Sequence, residues 1–134
     1  MAPFVLVLLA AGTLMIMAHR QNSATERHEK QALEQLARHV ESYEDVVRGE
    51  LRTGDPSRPW TRTVAQRNYG TLVSYVRSDR SLTTLVEFFA TYEETSFFGT
   101  STARAYRCYS FRFQEGAEGG PDRTALPLQQ CNPI

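Results

Sequence analysis

From Ala2 to Ala18 the chain is almost wholly apolar and uncharged (APFVLVLLAAGTLMIMA). At roughly 1.5 Å of rise per residue, a helix of this run spans roughly 25 Å, the short end of what crosses a bilayer. A polar stretch, HRQNSATERHEKQ, follows over residues 19–31. Ser23 with Glu26 three positions later has the form of a capping box, so a second helix can start there. Nothing in the stretch breaks a helix, so the first can equally run on. Leu33, Leu36, Val40, Tyr43 and Val47 then recur at spacings of three and four, an apolar helical stripe widened by Ala32, Ala37 and Leu51. Glu34, Arg38, Glu41, Glu44, Asp45 and Arg48 lie opposite, with Glu34–Arg38 and Glu44–Arg48 as favourably oriented i,i+4 pairs. Gly54-Asp55-Pro56 and Pro59 predict a stop near Arg52.

Residues 60–79 (WTRTVAQRNYGTLVSYVRSD) are ambiguous. Val64, Asn68, Leu72, Tyr75 and Val76 fit one helix face imperfectly, whereas Gly70 and the β-branched content argue for a strand at 71–77. The balance is set here on helix, with a turn at Ser78-Asp79. Beyond them the period changes to two. Leu82, Val86, Phe88, Ala90 and Tyr92 share one strand face, with Thr84 the exception, and Leu85, Glu87, Phe89 and Thr91 point the other way. Thr95–Thr102 reads as a connection. Ala103–Phe113 reads as a second strand, with Tyr109, Phe111 and Phe113 on one face and Arg104, Cys108, Ser110 and Arg112 on the other. Glu115–Asp122 (EGAEGGPD) is a loop by composition. Thr124–Cys131 reads as a last strand, held to a sheet edge by Pro127.

The two cysteines fit that hairpin. If Cys108 and Cys131 lie directly opposite, its centre falls between Gly119 and Gly120, within the glycine-rich loop. The same register pairs Phe111 with Leu128 and Phe113 with Leu126 on the apolar face, and opposed residues stand at a separation that a disulfide accepts. A Cys108–Cys131 bridge on the outer face of an edge hairpin is therefore expected. Closing a loop of about two dozen residues contributes on the order of 3 kcal/mol, and the bridge implies an oxidising compartment.

Composition narrows the chemistry. The 134 residues carry 15 basic and 15 acidic side chains, a formal net charge of zero, which argues against a general nucleic-acid binder. With two cysteines and no CxxC there is no structural zinc motif, and no glycine-rich phosphate loop is present. His19, His28 and His39 all precede the sheet half, which makes a Ser–His or Cys–His nucleophile hard to assemble there. His28 and His39 share a helix face roughly 16 Å apart, too far to hold one ion. Glu93 and Glu94 point to opposite faces if the strand reaches them. Arg107 falls on the apolar face by parity. No catalytic residue, cofactor or metal is expected. The candidate interaction residues are Phe97 and Phe98, an aromatic pair beside Gly99 in the connection, for which closing the core is preferred to an exposed tip, and the stripe Leu33, Leu36, Val40, Tyr43 and Val47, for which packing on its own sheet is preferred to zipping to a second copy.

The YRCYSF strand (106–111) and the terminal LQQCNP (128–133) give residues 80–134 a resemblance to small actinobacterial single-pass, membrane-anchored exported proteins. Those carry a Cys-Tyr-x-Phe strand and a Cys-Pro-like terminus; here Asn132 separates Cys131 from Pro133. The resemblance implies an exported, anchored body and brings no activity with it. Fourteen Arg against the single Lys30 fit a GC-rich coding bias. The layout is also similar to type IV pilins and pseudopilins, which join a long, half-hydrophobic helix to an antiparallel sheet with a C-terminal disulfide loop. This chain lacks a prepilin cleavage motif and has Val5 where such subunits usually carry Glu.

Orientation is contested within the sequence. Arg20, Arg27 and Lys30 follow the apolar run and would hold the body in the cytoplasm by the positive-inside rule; the cysteine pair places it outside, the reading preferred here. An uncleaved anchor is preferred to a cleaved signal, because Ile16-Met17-Ala18 is a poor cleavage site and no basic residue precedes the run. The expected architecture is α+β: an N-terminal transmembrane helix (1–19), an amphipathic helix (20–53), and a small antiparallel sheet of three to four strands (54–134) packed with that helix and stapled by one disulfide. The expected role is a non-enzymatic interaction or accessory module of the bacterial cell envelope. It would be tied to the membrane through residues 2–18 and would meet an envelope protein or a second copy of itself. The alternative is a pilin-like structural subunit.

Overall fold

The computed structural model describes residues 2–96, 98–115 and 122–131, with side chains described from Ala24 onward except that of Ser96. One unbroken helix, α1 (Ala2–Thr53), carries both the apolar run and the amphipathic stripe. The Ser23 capping box therefore starts nothing; the chain is already helical on both sides of it. Among residues with described side chains, no helix is long and apolar enough to cross a membrane. The expected anchor, residues 1–19, lies outside them.

After Pro56, Ser57 caps a second helix, α2 (Arg58–Arg67), its Oγ accepting the Trp60 N–H at 3.2 Å. Pro59, read as a stop signal, stands in the first turn of α2, where a missing N–H costs nothing. The strands are β1 (Gly70–Ser78), β2 (Ser81–Ser96), β3 (Gly99–Gln114) and β4 (Asp122–Leu126), followed by one helical turn, α3 (Leu128–Cys131). They form a single antiparallel sheet in sequence order, β1-β2-β3-β4. The ambiguous segment 60–79 is thus half helix and half strand, and the preference for helix fails from Gly70 onward. The supposed connection Thr95–Thr102 is mostly ladder: β2 and β3 pair without interruption from Ser81↔Gln114 to Ser96↔Gly99.

The core lies between α1 and one sheet face. Leu36, Val40, Tyr43 and Val47 meet Leu82, Val86, Phe88, Phe111 and Phe113, all 2% exposed or less. Val64 and Ala65 of α2 close the core beside β1. The Tyr43 ring lies 4.9 Å from Phe111, 5.7 Å from Phe88 and 6.4 Å from Phe113, centroid to centroid. Its hydroxyl is hydrogen-bonded to Thr84 Oγ1 at 2.8 Å. Thr84, the polar exception on an apolar strand face, is the partner that lets a phenol be buried there. Burial pushes the Tyr43 pKa up, more than its bond to Thr84 pulls it down.

The end of the chain departs from expectation. Cys108 and Cys131 are bridged, with Cα atoms 5.9 Å apart, but they do not face each other across a ladder. Cys108 pairs with Leu126, and Phe111 with Arg123. The register is five residues from the expected one, and an odd shift exchanges the faces. Neither Leu126 nor Leu128 packs against Phe113 or Phe111; Leu128 is exposed. Pro127 has no N–H to continue the ladder, so β4 stops at Leu126 and α3 folds back to set Cys131 over Cys108. Both cysteines are buried, 1% and 2% exposed, rather than lying open on an outer face. The expected turn centre, Gly119-Gly120, lies outside the described residues. In the observed register Arg123 faces α1, 3.3 Å from Glu44. On the other edge strand, β1, Arg77 joins Asp55, before α2, to Glu115, after β3 (3.0 and 2.7 Å).

Two predictions follow from this packing. Tyr43→Phe strands the Thr84 hydroxyl in the core and costs about 1–3 kcal/mol in chemical denaturation; adding Thr84→Val returns part of that loss, because removing both polar partners is milder than removing one. Replacing both cysteines by Ser costs about 3 kcal/mol and lowers the thermal midpoint by about 10–20 °C. A midpoint unchanged on reduction would mean that the bridge does not hold α3 to the sheet.

Candidate functional site

Of the two readings of the stripe, the preferred one holds: it packs on its own sheet and is the core, not a docking face. Leu36, Val40, Tyr43 and Val47 are buried against the chain's own sheet, and Leu33 is half-buried. Contact with a second copy through them would require the body to open. Phe98 is fully exposed at the β2–β3 turn, so the preferred expectation that it closes the core fails; Phe97 lies outside the described residues.

A different surface emerges where α2 meets β1. Asn68 ends α2, Gly70 starts β1, and Tyr69 between them has φ 59°. A bulky residue in the left-handed region costs roughly 1–3 kcal/mol and persists only where its surroundings enforce it. Here the Tyr69 carbonyl accepts the Phe89 N–H at 3.0 Å. Gly70 cannot carry a side chain: a Cβ would stand 2.9 Å from Val86 Cγ1, 3.0 Å from Phe88 Cε1 and 3.1 Å from the Ala65 carbonyl oxygen. With a helix and a strand pressed together at Gly70, the reversal falls on Tyr69.

The strain places an aromatic ring at the sheet edge. Tyr69 is 52% exposed. Its ring lies perpendicular to Phe89, 5.9 Å away, and 4.7 Å from His39 of α1. Phe89 continues to Tyr106 at 6.2 Å, and the Arg104 guanidinium sits 4.9 Å above the Phe89 ring. Tyr69, Phe89, Tyr106 and Arg104 thus form a continuous patch, Phe89 and Tyr106 half-buried and Tyr69 and Arg104 exposed, reaching from the helix layer onto the sheet face that α1 does not cover. Burial, and then the neighbouring Arg38, lower the His39 pKa, so the ring facing Tyr69 favours its neutral form. Aromatic side chains and Arg are the types that anchor protein interfaces.

The remaining residues singled out by the sequence are dispersed. Glu93 and Glu94 are exposed on opposite strand faces. Arg107, on the α1 side by parity, is exposed and donates to the Tyr106 carbonyl at 2.7 Å. Arg112 stands opposite Asp122. His28 donates from Nδ1 to the Glu93 carbonyl at 3.1 Å, beside an open cleft of about 220 Å³ between α1 and β2. A second open cleft, of about 640 Å³, lies at the β1–β2 turn among Arg80, Arg112 and Glu115. Among the described residues no group of three or more His, Cys, Asp or Glu is placed to hold a metal ion.

The chain matches no family model, no curated protein and no solved structure. The patch is therefore read from its own chemistry. Sequence reasoning passed over it although part of its signal was present: Phe89 and Leu85 sit on the strand face opposite the core, where an open face would carry polar residues. Tyr69 carried no signal, because its role comes from a backbone reversal visible only once α2 and β1 are both known.

Gly70→Ala tests the origin of the strain. Overpacking against Val86, Phe88 and the Ala65 carbonyl is expected to cost about 1–3 kcal/mol. In near-ultraviolet circular dichroism or side-chain NMR the change should disturb the Tyr69 and Phe89 rings before the sheet is lost. A neutral Gly70→Ala would show that the close approach does not force the reversal.

Proposed function

We propose that the protein is a non-enzymatic interaction module, tethered to the bacterial cell membrane by residues 2–18 with its body outside the cytoplasm, which receives a protein partner on the Tyr69–Phe89–Tyr106–Arg104 patch. The observation that carries this reading is the left-handed Tyr69. The packing at Gly70 sets the reversal, but Gly or Asn would make it at less cost; Tyr there keeps an aromatic ring half open beside two others. The buried Cys108–Cys131 bridge supports an oxidising compartment against the opposing pull of Arg20, Arg27 and Lys30. The apolar run, continuous with the helix that bears the body, supports the tether. The YRCYSF strand and the bridged terminus are in keeping with the resemblance to anchored actinobacterial exported proteins.

One observation favours a second reading. A helix of 52 residues with the sheet on its C-terminal half has the layout of a pilin-like subunit. There the N-terminal halves would bundle, and the patch would meet the next copy.

One experiment separates the two. A photo-crosslinking phenylalanine analogue replaces Tyr106 in the full chain, expressed in its own envelope. The interaction module gives one discrete adduct with a different protein, and Phe89→Ala reduces its yield by about tenfold or more, a loss of at least 1.4 kcal/mol in binding. A ladder of adducts between copies favours the pilin-like subunit. No adduct at all rejects the patch as an interface.

A further inference from the structure

Beyond the point where β1 and β4 stop pairing, β2 and β3 continue as a two-stranded ribbon. The last pair to β1 is Gly70↔Phe88, and the last to β4 is Cys108↔Leu126; the β2–β3 ladder runs on to Ser96↔Gly99. This ribbon lies along α1 and points toward its N-terminus. His28 Nδ1 donates to the Glu93 carbonyl at 3.1 Å, and two strand residues further the Thr95 N–H donates to Thr25 Oγ1 at 3.4 Å. Advancing along β2 means retreating along α1.

The tip can be placed from these two contacts. From Thr95 to Phe98 the chain advances roughly 7–10 Å at strand rise. The same distance along α1 covers roughly five or six residues, which brings the tip level with His19 and Arg20. That is where the apolar run ending at Ala18 gives way to polar sequence. Because α1 is a single helix from Ala2 to Thr53, the run and the ribbon share one direction.

The ribbon changes character toward this end. No charged residue occurs from Thr95 to Ala103 (TSFFGTSTA), and charge resumes at Glu94 on one strand and Arg104 on the other. Phe98 is fully exposed. Gly99 follows with φ +118°, a conformation that favours glycine, and its pairing with Ser96 closes a tight turn. An uncharged tip of Ser, Thr and Gly carrying an exposed Phe, with a second Phe next to it in sequence, suits the boundary between headgroups and acyl chains, where aromatic side chains concentrate.

We infer that the β2–β3 hairpin is a second membrane contact, with Phe98 entering the lipid interface beside the apolar run of its own chain. The ligand is a lipid surface, and the attraction is apolar rather than headgroup-specific, since the tip carries no charge. The inference rests on the membrane-spanning reading of residues 2–18 and deepens it. Helix and hairpin together would hold the body at a fixed tilt and turn a fixed side of the sheet toward solvent.

The test uses the full chain in phosphatidylcholine vesicles containing lipids brominated at shallow or deep acyl positions. The native indole is removed by Trp60→Phe. On that background Phe98→Trp, Leu9→Trp and Val76→Trp are compared, the last on exposed sheet surface. The expected result is quenching of the Phe98→Trp indole to about half or less by shallow bromines, strong quenching of Leu9→Trp by deep bromines, and none of Val76→Trp. If Leu9→Trp is quenched and Phe98→Trp is not, the lipid contact is overturned while the anchor stands, and the tip faces water or a protein. If Leu9→Trp is unquenched, the anchor falls and the hairpin contact falls with it.

Discussion

The structure depends on burying one phenol. Tyr43 stands where the stripe of α1 meets the two long strands, with Phe88, Phe111 and Phe113 around its ring and Thr84 at its hydroxyl. A buried hydroxyl without a partner would cost about 1–3 kcal/mol, so α1 cannot slide along β2 or rotate without breaking the bond. A stripe of Leu and Val alone would tolerate either displacement. The pair thereby fixes which end of the sheet lies toward the N-terminal half of the helix, and hence the direction in which the β2–β3 ribbon runs.

With one helix face matched to one sheet face, the rest of the body is fastening. A domain this small buries a limited core, and its links are set at the margins: the disulfide holds α3 to β3, Arg77 joins the segment before α2 to the end of β3, and Glu44 meets Arg123 of β4. The ion pairs are partly exposed and individually modest. The disulfide and the aromatic nest contribute the larger share, and they act on opposite faces of β3. Cys108 lies on one side of that strand and Phe111 on the other, so β3 is fixed from both.

What the sequence disclosed, it disclosed through periodicity. The stripe from Leu36 to Val47 keeps its helical spacing, and Leu82–Ala90 and Tyr109–Phe113 keep period two, so the two matched faces could be named without coordinates. The failures occur where period carries no information. Between Val64 and Val76 a helix gives way to a strand within three residues, at a left-handed Tyr and a glycine with no room for a Cβ, and an averaged pattern reports neither. In Thr95–Thr102 the Ser, Thr and Gly content suggested a loop, whereas Thr is at home in strands and the ladder simply continues. The cysteine pairing was right and the geometry behind it was not. Two sulfurs can meet across a ladder or across a helical turn that folds back, and Pro127 decides for the second.

The same division separates residues that the fold requires from those it does not. Each aromatic side chain on the α1 side of β2 and β3 has a packing reason. Phe98 is fully exposed at the hairpin tip, and Tyr69 carries a backbone cost. Folding alone would favour a polar residue at the hairpin tip and Gly or Asn at the left-handed position. These two departures from the locally favoured residue lie outside the core, on surfaces that α1 does not cover. A fold whose one sheet face is wholly occupied has only its other face and its ends left for recognition, and the unfavoured aromatics are found in those places. That coincidence, more than any single contact, is why the body is read as a surface for binding.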